Sequence, residues 1–149
     1  MTNSRIKNIA FWTATILGPT SFVIGGVLSL SQNEQAVAGL TQLGYPAYFG
    51  SILGVWKLLG AIAITVPRFP RLKEWAYAGF VFDLTAAAFS HAVVGDGAAA
   101  VIGPLVFLGL VLASWALRPA SRKLASSAAP ERERTAQADA GLVALPAHV

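Results

Sequence analysis

The chain has 149 residues, 55% of them hydrophobic and 12% charged, about half the charged share of ordinary soluble domains. A chain this short cannot hide so much apolar surface from water, which excludes a soluble domain, and with no cysteine disulfides, thiolate nucleophiles and Cys-ligated metal centres are excluded as well. The net charge of +4 is no nucleic-acid footprint, because ten of the eleven Lys and Arg residues fall in flanks and turns and the eleventh is Lys57.

Residues 1–8 are polar and carry Arg5 and Lys7; residues 9–30 follow without a charge. About 20 residues cross the hydrocarbon core, so 9–30 is expected to be a first span. It is longer than the apolar region of a secretory signal, roughly 7–15 residues. We therefore read it as an uncleaved anchor, although Ala36-Val37-Ala38 resembles a cleavage site. Gly18-Pro19 lies mid-span and predicts a packing kink.

Residues 31–46 are a polar connection. Ser31 and Glu34 have the spacing of a capping box, and Ala36, Val37, Leu40 and Leu43 recur at helical spacing. A short amphipathic surface helix is expected over about 32–43, with Gly44 as its stop and Pro46 just beyond.

Residues 47–66 form the second expected span. Gly50 and Gly54 are a GxxxG pair, which lets another helix approach closely, and steps of three and four carry that face to Lys57 and Ala61. A basic turn with Arg68, Arg71 and Lys73 leads to a third span over 75–94. There Gly79, Asp83, Ala87 and His91 recur every four residues as a small-residue face carrying an acid and an imidazole. Gly50, Gly54 and Gly79 are the expected helix-packing positions. After the tight turn Gly95-Asp96-Gly97 comes a fourth, uncharged span over 98–117. From Arg118 onward the chain turns polar and loses apolar periodicity. This divides it into a membrane domain, 1–118, and a disordered cytoplasmic tail, 119–149. The fold class is thus an all-α integral membrane four-helix bundle.

The loops alternate in charge. Arg5 and Lys7 precede the first span, the next connection has no Lys or Arg, the following turn has three, the next none, and Arg118, Arg122 and Lys123 leave the fourth. The positive-inside rule puts both termini in the cytoplasm of a cell-membrane protein. Trp12, Trp75 and Trp115 fall at that interface, and Tyr45 and Tyr48 at the other, as aromatic belts require.

Lys57 and Asp83 lie about 13 and 12 Å from the basic ends of their spans at 1.5 Å per residue, so antiparallel neighbours bring them level. A charge at the helix centre costs about 2.5–3.5 kcal/mol on insertion scales, and an intramembrane ion pair offsets much of that. Two readings stand side by side: the pair fixes the register of spans two and three, or it lines a polar pocket that meets a ligand or relays protons. His91, about 24 Å up its span, either opens a path outward or caps the bundle beside Asp96. The other histidine, His148, is in the tail, so no histidine metal site is expected, and no catalytic constellation is expected either.

Several stretches together resemble the DoxX-like family of small four-span bacterial membrane proteins. They are Leu43-Gly-Tyr-Pro46, Leu53-Gly54 with Lys57-Leu-Leu-Gly60-Ala61, Pro67 to Pro70, Lys73-Glu-Trp-Ala-Tyr-Ala-Gly79, and Ser90-His91 with Gly95-Asp96. The resemblance runs over about 9–117 and implies four helices and a membrane location. The family takes its name from a subunit of a membrane thiosulfate:quinone oxidoreductase, and other relatives are linked to redox or thiol-stress partners. It thus implies quinone as a cofactor to consider, and a cysteine-free chain needs a partner or bound quinone for any redox role.

The expected function is a non-catalytic membrane component that binds a small hydrophobic ligand, or a partner, at the Lys57–Asp83 centre. The alternatives are a subunit of a quinone-linked oxidoreductase and a proton- or solute-translocating module. The expected partners are the lipid bilayer and either another membrane protein or a second copy through the GxxxG face, with no nucleic acid.

Overall fold

A computed structural model describes residues 2–124, all of whose regular elements are helical. Most of the predicted tail, residues 125–149 with His148, lies outside the described residues. The first span is two helices, α1 (Thr2–Leu17) and α2 (Phe22–Leu30), joined by a 3-10 turn at Pro19–Ser21. A surface helix α3 (Glu34–Gln42) leads to α4 (Ala47–Thr65), α5 (Pro70–Val93) and α6 (Ala98–Leu117). The segments Arg5–Leu30, Ala47–Thr65 and Ala98–Leu117 are long and apolar enough to cross a membrane on composition alone. Helix α5 has the length but also Arg71, Lys73, Glu74 and Asp83.

The break in the first span has a covalent cause. Pro19 has no N–H, so the carbonyl of Thr15 loses its helical partner. The Thr20 hydroxyl donates to that carbonyl at 3.0 Å, and the Ser21 hydroxyl donates to the carbonyl of Gly18 at 2.6 Å. In lipid such freed groups must be satisfied from within the protein. The break also redirects the chain: α1 packs on α6, whereas α2 packs on α4. With α4 on α5 and α5 on α6, the four spans close into a ring. Gly18 sits where α6 comes nearest, and a Cβ there would lie 3.1 Å from Leu110 Cβ and 2.8 Å from the Ala14 carbonyl oxygen.

The capping box predicted at Ser31 and Glu34 is not formed. Ser31 instead closes α2: its N–H bonds the Val27 carbonyl at 2.9 Å and its hydroxyl the Leu28 carbonyl at 3.1 Å. Asn33 caps α3, its side-chain oxygen accepting from the N–H of Gln35 at 3.1 Å. Asparagine is at least as good an N-cap as serine, and the left-handed Gln32 (φ 52°) separates the two helices. At the other end Gly44 (φ 86°) stops α3 as expected. Its N–H reaches the Thr41 carbonyl and that of Tyr45 reaches the Leu40 carbonyl, the Schellman pattern.

Helix α5 begins earlier than the predicted third span, because Pro70 suits the first helical turn and is preceded by two left-handed residues, Arg68 and Phe69 (φ 69° and 54°). Phe22, Ile64, Tyr77, Phe80, Leu84 and Val111 form the core at the ring's centre. Two glycines set its tightness. Gly54 takes α4 against α2, where a Cβ would stand 2.8 Å from the Gly26 carbonyl oxygen, and Gly60 leaves room for the Phe80 ring.

Candidate functional site: an apolar groove with an ion pair on its wall

Helices α4 and α5 diverge enough to leave a cavity of about 570 Å³ along their seam, within the range of ligand sites. Leu53, Trp56, Leu59 and Gly60 line it from α4, and Ala76, Gly79, Phe80 and Ala87 from α5. Leu40, Leu43 and Tyr45 close over one end, and Leu72 and Trp75 flank the other. From Leu72 to Ser90 the α5 wall is about 27 Å long at 1.5 Å per residue, close to the thickness of the hydrocarbon core.

Lys57 and Asp83 face this groove from opposite walls, Nζ to Oδ2 3.5 Å apart, with side chains 23% and 19% exposed. The lysine ammonium also lies 5.8 Å from the centroid of Phe22. A charge-assisted N–H···O bond is normally about 2.7–2.9 Å long, so the pair is drawn together but not closed. Among the described residues neither side chain makes a hydrogen bond of its own to the protein. An ammonium has three donors and a carboxylate about four acceptor sites, so most of this capacity opens into the groove.

His91 does not join them. Steps of four advance more than a full turn of a 3.6-residue helix, so from Asp83 to His91 the direction drifts by about 80°. Ser90, seven residues on from Asp83, takes the place in the groove. Its hydroxyl meets that of Tyr45 at 2.9 Å, while His91 Nδ1 lies 2.6 Å from Asp96 Oδ2. Gln42 donates to the other Asp96 oxygen at 2.9 Å. These contacts tie α3 over the groove's end and give His91 the capping position beside Asp96.

The helix-packing glycines also separate. Gly54 packs on α2 and Gly50 meets Leu40 of α3, but a Cβ on Gly79 would touch nothing within 4 Å. Gly79 borders the groove instead.

A second polar cluster, invisible to sequence periodicity, fills the basic end. Lys73 is 1% exposed. Its ammonium donates to the carbonyls of Ala63 at 2.8 Å, Ile64 at 3.0 Å and Val66, closing the last turn of α4. Burial, then the charges of Arg122 and Arg118, push the Lys73 pKa down. Glu74 accepts from Arg118 Nη2 and from the Trp115 indole, each at 2.8 Å. Burial pushes the Glu74 carboxyl up, but those two hydrogen bonds and the Arg118 charge outweigh it and hold its pKa below the usual value. Deeper in, Ser114 Oγ is 2.7 Å from Thr15 Oγ1 and 2.8 Å from Tyr77 Oη. Arg122 donates to the Ile64 carbonyl at 3.0 Å and lies over the rings of Trp12 and Phe11. The signal for this cluster is the set of lone hydroxyls inside apolar runs, Thr15, Tyr77 and Ser114, which lie at one depth once the spans are antiparallel.

Among the described residues no group of three or more His, Cys, Asp or Glu side chains could hold a metal ion. The groove can instead receive an apolar chain and offer it a donor and an acceptor at mid-depth. Compared with known families, residues 13–114 match the model of the DoxX-like family, a stretch that contains Lys57, Asp83 and His91. Neither the comparison with curated proteins nor that with solved structures finds a match.

Proposed function

The chain belongs to the DoxX-like family, and from that premise we propose that this small membrane protein is a non-catalytic binding component of the cell membrane. It holds a small hydrophobic molecule in the α4–α5 groove, with the molecule's polar part against Lys57 and Asp83. The observation that carries the reading is the open pair on the wall of a cavity of about 570 Å³. A pair that served only to fix register gains by closing and by facing the ring's interior. This one faces the groove and keeps its bonding capacity free, and intramembrane ionisable groups of that kind mark ligand or ion sites.

Both termini lie on the cytoplasmic side in this proposal. Arg68, Arg71, Lys73, Arg118, Arg122 and Lys123 lie at one end of the bundle and Glu34 and Asp96 at the other, which is the asymmetry of the positive-inside rule.

The test is mass spectrometry of small molecules extracted from protein purified in mild detergent, wild type against Lys57→Met. A molecule retained by the wild type and lost from a folded variant is the expected result. An empty wild type, with a variant that only unfolds more easily, would leave the pair a register device and overturn the reading.

A further inference from the structure

We infer that the occupant of the α4–α5 groove is a neutral lipid carrying a hydroxyl group, seated with its oxygen bridging Lys57 Nζ and Asp83 Oδ2. The inference rests on the binding role proposed above and adds the chemical class that the polar centre selects. Three features argue for it.

The first is depth. Lys57 and Asp83 lie near the middle of α4 and α5, and the lining on both sides of them along the groove is apolar except for the hydroxyls of Tyr45 and Ser90 at one end, which bond each other. A molecule reaching the pair therefore places its polar group at mid-membrane with a chain along the seam. Lipids with ionised headgroups hold those groups at the interface, and bringing a charge to this depth is costly.

The second is charge. The two side chains cancel each other, so an anion drawn to Lys57 is repelled by Asp83, and a cation the reverse. Neither recovers what it loses in leaving the interface, whereas a neutral group meets no such opposition.

The third is bonding capacity. Lys57 can only donate, and Asp83, when ionised, can only accept. An ether or ketone serves the lysine alone, and an ammonium serves the aspartate alone. A hydroxyl both donates and accepts. The 3.5 Å between Nζ and Oδ2 leaves room for one oxygen at a normal hydrogen-bond distance of about 2.8 Å from each. Bridging converts a long pair into two charge-assisted bonds, and the chain fills surface now lined by Trp56, Leu59 and Gly60.

Trp56 and Trp75 line the groove, so bromine quenching of tryptophan fluorescence reads occupancy. The probes share one brominated C18 chain: a dibrominated stearyl alcohol, its methyl ether, the matching alkane and the matching amine. Each is titrated into full-length protein in bilayer nanodiscs, with Trp56→Phe as the control that assigns the quenching to the groove. The alcohol is expected to quench saturably at a mole fraction about tenfold or more below the ether and the alkane, the size of one charge-assisted hydrogen bond. In the near-isosteric double variant Lys57→Met, Asp83→Leu, which leaves no lone charge, the alcohol should fall to the level of the ether.

Equal saturable binding of alcohol, ether and alkane would overturn the hydroxyl assignment while leaving a chain-binding groove, its pair served by water. Tighter binding of the amine would overturn it in favour of an ionised headgroup. A double variant that keeps the alcohol's advantage would place the recognition elsewhere. Quenching that rises linearly for every probe, as in bulk lipid, would remove the groove reading along with the class assigned to it.

Discussion

Two polar clusters share α5, one at its basic end and one at its middle, and they are built in opposite ways. At the basic end nearly every strong group has its partner close by; the exception is Arg118 Nη1, which is buried without a hydrogen bond among the described residues while its guanidinium lies over the rings of Tyr77 and Trp115. Lys73 spends its three donors on two carbonyls of α4 and that of Val66 just beyond it, Ser114 is shared by Thr15 and Tyr77, and Glu74 is held by Arg118 and Trp115. Thr15, Lys73 and Ser114 are no more than 1% exposed. At the middle, Lys57 and Asp83 stand 3.5 Å apart and keep their remaining capacity toward a cavity. In a bilayer an unsatisfied polar group is expensive, so the closed cluster is expected to act as a fastening, and in the function proposed above the open one receives a ligand. The contrast separates stability from binding along a single helix, and substitutions can test that separation.

The largest effect is expected from Lys73→Met. It strands the carbonyls of Ala63, Ile64 and Val66 at the buried end of α4, and a buried group left without its bond costs about 1–3 kcal/mol. Arg122 still reaches Ile64, so a loss of roughly 3 kcal/mol or more is expected, read from unfolding by a denaturing detergent. Binding by the folded fraction should be unchanged. A loss under about 1 kcal/mol would mean that the α4 carbonyls find other partners and that the basic end is not a fastening.

Ser114→Ala should come next, because one deleted hydroxyl frees two others. A loss of about 1–2 kcal/mol is expected, the upper part of the range for hydrogen bonds between membrane helices. Removing Thr15 and Tyr77 hydroxyls as well, by Thr15→Val and Tyr77→Phe, should cost much less than the sum of the three single changes, since they share one network. Additive losses would show the three side chains acting separately.

At the middle of α5 the order of effects reverses. Lys57→Met should cost only about 1 kcal/mol of stability, because the pair is long, 3.5 Å, and both side chains are partly exposed to the groove, and a further Asp83→Asn should return part of it. Occupancy of the groove should be lost in both. If Lys57→Met instead matched Lys73→Met in stability, the two clusters would be of one kind and the groove would lose its claim.

How much of this was legible follows from geometry. The four spans, the kink at Pro19 and the stop at Gly44 could be read from the sequence, since each depends on local chemistry or on hydropathy alone. The pairing of Lys57 with Asp83 was legible from depth, because two antiparallel helices joined by a short turn must bring equal depths together. The place of His91 was not, because steps of four drift around a 3.6-residue helix and the error grows with each step. That drift takes His91 to Asp96 and brings Ser90 to the groove. Gly54 and Gly79 read alike in sequence, yet one meets α2 and the other open space, and only the spacing of neighbouring helices tells them apart. Lys73 and Arg118 read as topology signals, and nothing in a charge count shows that their side chains turn back into the protein.

The smallest expected effect concerns Glu74, which precedes the third span and ties α5 to the end of α6. Its pKa is lower in the folded protein than the ordinary 4.5, so the ionised form is the one the fold favours. The stabilisation is then fully present above pH 4.5, weakens as pH falls through that ordinary value, and is gone below the folded one. Glu74→Gln removes this titration while keeping an oxygen for Arg118 or Trp115 to reach. Wild-type melting temperature should therefore exceed that of the variant by a constant margin at neutral pH, and the two curves should converge as the pH drops below 4.5. The comparison between the curves is what isolates Glu74, since every other acid is common to both proteins. If the margin persisted into acid, the Arg118–Glu74 contact would owe its strength to geometry alone, and charge would have little part in closing the basic end.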